Sequence, residues 1–164
     1  MARSFRALFA LTVIALIFLP QSGIAAEKAI DPCSLLTLAE IQEALGQPVQ
    51  AGKLNAGVNP AVGSNCNYIV ADYGSFNVLL KPLGYSETPE RIKAQFTKMK
   101  MNPVDLPNVG DSSFFTSPGF GMTQLQTFKG SKYILFTILV PGAKEPAQQA
   151  AAAKLMRILL SRIK

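Results

Sequence analysis

The chain has 164 residues, with 16 Lys or Arg, 10 Asp or Glu and no histidine. Lacking histidine, it cannot carry Ser-His-Asp or Cys-His catalysis or a histidine-based zinc site of its own. The formal charge of +6 is spread thinly, without clustered arginines among aromatics, which argues against nucleic-acid binding. Attraction to anionic lipid or polyanionic envelope polymers stays open but unspecific.

Arg3 and Arg6 form a basic head, and Ala7 to Leu19 is an uncharged apolar run that ends at Pro20. Gln21 to Ala26 is small and uncharged. Basic, apolar and small-residue sections in this order predict a secretory signal peptide over residues 1–25, cut after Ala25 or Ala26. An uncleaved anchor is the alternative, but a span needs about 20 apolar residues and this run falls short. No stable membrane span is therefore expected after cleavage. Residues 26–164 are read as a single exported domain, periplasmic or secreted, with net charge +4. About 139 residues can bury roughly two thirds of their unfolded surface, enough for a proper core.

Asp31-Pro32 offers a cap followed by proline, and Thr37-Leu38-Ala39-Glu40 reads as a capping box. Leu36 and Ile41 stand at the staple positions, Leu38, Ile41 and Leu45 share one face, and Gly46 with Pro48 ends the helix. Strands follow: an irregular one after Val49, then Cys66 to Asp72 and Ser75 to Lys81, joined by a turn at Asp72-Tyr73-Gly74. Alternation puts Cys66, Tyr68 and Val70 on one face, and Asn67, Ile69 and Ala71 on the other. Thr88-Pro89 starts a second helix carrying Ile92, Phe96 and Met99, with Arg91, Lys93, Lys98 and Lys100 on a solvated side.

Ser113 to Thr116, Met122 to Phe128 and Tyr133 to Val140 are the later strands. The last is apolar at nearly every position, which places it centrally with both faces covered. A final helix runs from about Pro146 to Ile163, its stripe formed by Ala152, Leu155, Leu159 and Ile163. The order α-β-β-β-α-β-β-β-α implies an α+β fold with a mostly antiparallel sheet packed against helices.

Cys33 and Cys66 are the only cysteines, and in an exported chain an even count reads first as a disulfide. A redox centre, a metal pair and a lipid anchor compete with that reading. The C-x-x-C spacing is absent, two thiolates make a poor metal cage, and no lipobox precedes Cys33. No catalytic constellation, metal set or cofactor motif emerges: Asp105 and Asp111 suit turns better than acid–base or calcium chemistry. Gly119-x-Gly121 lacks the third glycine of a dinucleotide loop. Tyr85, Phe114, Phe120 and Met122 lie on or beside glycine loops and form a candidate patch for a small apolar ligand or a partner, with core packing as the competing role.

Asp31-Pro32-Cys33-Ser34-Leu35-Leu36-Thr37-x-x-Glu40 followed by Ala44-Leu45-Gly46 resembles the opening of a family of small bacterial exported domains, many of them lipoproteins of unknown function. Cys66-Asn67-Tyr68, Val109-Gly110-Asp111, Lys129-Gly130 and the alanine-rich final helix extend the likeness over nearly all the mature chain. The resemblance implies an α+β fold of the PsbP-like sandwich kind, with a disulfide between the positions of Cys33 and Cys66. It implies no activity, and the chain departs from the lipoprotein members in lacking a lipobox cysteine. The resulting expectation is a non-enzymatic exported domain that binds a ligand or an envelope partner. A structural or accessory subunit of the envelope is the alternative, and a histidine-free enzyme ranks below both.

Overall fold

Local signals set the helix boundaries. In a computed structural model that describes residues 30–57, 59 and 61–163, a single 3-10 turn at Pro32–Ser34 is capped by the Asp31 carboxylate, which accepts from the Cys33 amide at 2.8 Å. Helix α1 (Leu38–Leu45) starts on a reciprocal box: the Thr37 hydroxyl accepts from the Glu40 amide, and the Glu40 carboxylate from the Thr37 amide. It stops at Gly46, whose φ of +64° suits a residue without Cβ. The buried stripe is Ile41 and Leu45, with Ala44 packed beside them. Leu38, expected on that stripe, sits at its margin and is 37% exposed, because the helix docks through its later turn. The segment expected to be a signal peptide lies outside the described residues.

Seven antiparallel strands form one sheet: β1 (Lys53–Asn55), β2 (Ser64–Val70), β3 (Gly74–Pro82), β4 (Val104–Asp105), β5 (Ser112–Gly119), β6 (Met122–Lys129) and β7 (Lys132–Leu139). Their spatial order is β1-β2-β3-β7-β6-β5-β4. The α+β class is therefore as the sequence implies, with β4 as an added two-residue edge strand that pairs Val104 with Phe115. Hairpins join β2 to β3, β5 to β6 and β6 to β7, while α2 (Pro89–Lys98) interrupts the meander. Helix α2 is capped as read, the Thr88 hydroxyl accepting from the Arg91 amide ahead of Pro89.

The main core lies on one face of the sheet. Cys66, Val78, Phe136, Leu125 and Phe115 stand side by side across five strands, all buried. Helix α1 and the long α3 (Glu145–Arg162) close over them with Ile41, Ala152, Leu155, Met156 and Leu159. Arg162 ties the two helices together: its guanidinium donates to the Leu35 carbonyl at 2.7 Å and to both Glu40 carboxylate oxygens.

A second, smaller cluster occupies part of the opposite face. Phe114, Phe128 and Tyr133 are buried there beneath Ile92 and Phe96 of α2, with Leu79, Leu83 and Leu135 at the margin. Strand β7 is central, as its composition demands, but its cover is unequal. Ile134, Phe136 and Ile138 are fully buried, whereas of the alternating residues only Tyr133 is buried, and Leu135, Thr137 and Leu139 are half-buried. Helix α2 is short and covers only the Tyr133 end, so the other half of that face stays open.

Candidate functional site

Strand register creates the site. Lys53 pairs with Asn67, Asn67 with Asn77, Asn77 with Thr137, Thr137 with Gln124, and Gln124 with Thr116. Directly paired residues share a face, so these six form one continuous row across β1, β2, β3, β7, β6 and β5. Every member is polar. The row lies one residue away from the apolar row through Cys66, Val78, Phe136, Leu125 and Phe115, on the other side of the sheet. It borders the α2-covered cluster and runs along the open half of the face. Lys53 and Asn67 are exposed, Asn77, Thr137 and Gln124 half-buried, and Thr116 is buried at the far end.

The amides are held in place by one another. The Asn67 amide donates to Asn65 Oδ1 at 2.8 Å, and the Asn77 amide donates to Asn67 Oδ1. Gln124 Nε2 donates to Thr137 Oγ1 at 3.4 Å, while its Oε1 accepts from the Thr116 hydroxyl at 3.2 Å and from Gln126 Nε2 at 3.3 Å. Gln126, fully buried, also donates to Thr116 Oγ1 and accepts from the Tyr133 hydroxyl. Burial pushes the Tyr133 phenol well up, with the Glu87 carboxylate adding to the effect, so it stays a protonated donor at neutral pH. The buried end of the network thus fixes the half-exposed end. Among the described residues, Asn77 Oδ1 and the Thr137 hydroxyl hydrogen have no side-chain partner and remain available to a ligand.

Beside this row, toward the sheet end, stand Ile69, Ser75 and Leu139, themselves paired across three strands. Ile69 is 48% exposed, an unusual position for an isoleucine in a regular strand. The floor is therefore a neutral polar track flanked by an aliphatic strip.

The structure scatters the four aromatic and methionine residues that the sequence groups as a patch. Phe114 is buried in the α2 cluster and stacks with Phe128 at 6.1 Å between ring centroids. Phe120 is 95% exposed at the β5–β6 turn, with half-buried Met122 just after it. Tyr85 is fully exposed in the loop after β3, at the opposite end of strands eight or nine residues long, a separation of about 25 Å. Sequence proximity to glycines does not put side chains on one surface, and these four make no common pocket.

The cysteines do meet. Cys33 and Cys66 form a disulfide with 5.1 Å between their Cα atoms, fastening the turn before α1 to β2. The carboxylates are mostly occupied. Asp111 accepts from the Gly130 amide and from Lys129, which hold its carboxyl below the ordinary range. Asp105 pairs with Lys93, Glu87 with Lys81, and Glu43 with Lys154. A shallow cleft of about 220 Å³ runs along residues 105–113, but its two aspartates are those already paired. Among the described residues no group of three or more potential metal ligands occurs, and no helix is long and apolar enough to cross a membrane.

No family model, curated protein or solved structure matches this chain. The polar row escapes sequence reading for a physical reason. Alternation does put Asn67 opposite Cys66, but the row exists only once register aligns five other residues with it, and register is set by turns and distant partners.

Proposed function

We propose that the chain is an exported, non-catalytic binding domain, stapled by Cys33–Cys66, which offers the open half of its sheet to an extended ligand or envelope partner. The observation that carries this reading is the continuous polar row from Lys53 to Thr116 on a face that α2 leaves half uncovered. A sheet face with no role beyond solubility has no need of amides locked in mutual hydrogen bonds; preorganised donors and acceptors favour recognition, because less ordering remains to be done on binding.

Export is supported by the signal-like leader, by the disulfide and by the Asp31–Glu40 likeness to small exported bacterial domains. The non-catalytic reading is supported by the absence of histidine and by the engagement of Glu40, Glu43, Glu87, Asp105 and Asp111 in ion pairs. An apolar small molecule is the less favoured ligand, since Phe114 is spent on the core and Phe120 and Tyr85 stand at opposite ends.

The second reading is an accessory interaction subunit that docks through its tips. It rests on Tyr73 and Phe120, 76% and 95% exposed, at turns on the same end of the sheet. Placing a photo-crosslinking residue at Asn77 or at Phe120 in the native envelope separates the two. Adducts at Asn77 support the open face, adducts at Phe120 alone support the tips, and an intact N-terminus on reduced cytosolic protein defeats both.

A further inference from the structure

Resting on the open-face reading, we infer that the occupant is a neutral polyhydroxylated chain, an oligosaccharide or glycan strand, lying across the strands along Asn67, Asn77, Thr137 and Gln124, with buried Thr116 supporting the track from its closed end.

The first argument is charge. Between Lys53 at the sheet edge and buried Thr116 at the far end, the track consists of Asn, Asn, Thr and Gln, bordered by Ile69, Ser75 and Leu139. Inward of Lys53, which can serve an anion only at the β1 edge, neither a carboxylate or phosphate ligand nor a cationic one finds a compensating charge on this floor. Desolvating such a group here would carry an unreturned cost. A neutral ligand has no such penalty.

The second argument is the chemistry of the hydrogen-bonding groups. Side-chain amides and threonine hydroxyls each present a donor and an acceptor. Sugar hydroxyls do the same, so each can donate to one rung and accept from the next. The free valences at Asn77 Oδ1 and Thr137 Oγ1 sit on adjacent strands, a spacing of about 4.8 Å. Their orientation is fixed from behind by Asn67 and by the Gln124–Gln126–Tyr133 chain.

The third argument is shape. The accessible rungs from Asn67 to Gln124 cover three strand spacings, about 14 Å. A monosaccharide would leave most rungs idle, whereas a chain of several sugars would use them. The exposed Ile69 and half-buried Leu139 offer aliphatic surface to the C–H faces of sugar rings. A peptide is the less suited occupant, since an extended peptide binds chiefly through a sheet edge, and this floor has no apolar side-chain pockets.

The test uses the exported form with its disulfide intact, labelled with 15N, and two neutral probes: the hexamer of β-linked N-acetylglucosamine and cellohexaose. Binding should shift the side-chain amide signals of Asn67, Asn77 and Gln124 and spare those of Asn59 and Gln149. Asn77→Ala combined with Thr137→Val should weaken the better probe at least about tenfold, while backbone amide signals away from the track stay in place and report a retained fold. Unaltered affinity in that variant overturns the assignment of the track. Failure of both probes at millimolar concentration overturns the glycan inference; if Asn77 still captures a protein in the envelope, the open face survives as a binding surface with a different occupant.

Discussion

Cys66 and Asn67 are consecutive residues of β2 that stand in rows on opposite faces of the sheet. Cys66, fully buried, bonds to Cys33 and begins the apolar row through Val78, Phe136, Leu125 and Phe115. Asn67, exposed, passes hydrogen bonds sideways along the polar row. The staple that secures the core side of β2 therefore also fixes the pleat that turns Asn67 outward.

Removing the staple should be costly. The disulfide spans a sequence separation of 33, and closing a loop of that size contributes about 3–4 kcal/mol in the chain-entropy model. Cys33→Ser with Cys66→Ser should lower stability by up to that amount in denaturant titration. The wild type should show the same loss under reductant, and the double variant none.

Gly52 presses against the same region. A Cβ at this position would stand 2.4 Å from Cys66 Sγ and 2.6 Å from Tyr68 Cε1, both on buried side chains. Gly52→Ala should cost about 1–3 kcal/mol through overpacking. Gly130→Ala meets nothing within 4 Å and carries only its left-handed backbone penalty, about 1–2 kcal/mol at φ +56°. Only Gly52→Ala should also perturb the Tyr68 environment in near-ultraviolet circular dichroism.

The Glu40 carboxyl is held at about 2 by its hydrogen bonds to Arg162 and to the Thr37 amide. A carboxyl pushed below its ordinary value near 4.5 stabilises the fold fully above that pH and loses the effect as pH falls toward about 2. Wild type should thus lose stability relative to Glu40→Gln across this window. The two should differ most at neutral pH and converge in strong acid, as an acid titration of melting temperature would record.

Phe114 and Phe120 should behave in opposite ways. Phe114→Ala empties the centre of the α2 cluster and should cost about 3–5 kcal/mol. Phe120 is exposed at φ +55° between two glycines of positive φ, so Phe120→Asn should leave the melting temperature unchanged or raise it slightly. A large loss on Phe120→Asn would mean that its ring packs against the fold.

Sequence reading succeeded where the signal is local. The Thr37–Glu40 box, the Thr88-Pro89 start, Gly46 as a stop and the buried parity of Cys66, Tyr68 and Val70 each need only neighbours within a few residues. It missed Leu38, whose burial depends on where α1 docks, and β4, two residues long and recognisable only by its pairing with β5. The grouping of Tyr85, Phe114, Phe120 and Met122 treated closeness to turns as closeness in space. Strand direction separates those turns to opposite ends.

Short-range chemistry by itself determined the α+β class and the helix caps, because capping and alternation are properties of a few adjacent residues, while a count of two cysteines left one possible disulfide within the chain. The half-covered face and its six-strand polar row needed the folded chain. Pairing register and the reach of α2 come from contacts between residues far apart in sequence, and a one-residue slip would turn Asn67 inward and Cys66 to solvent.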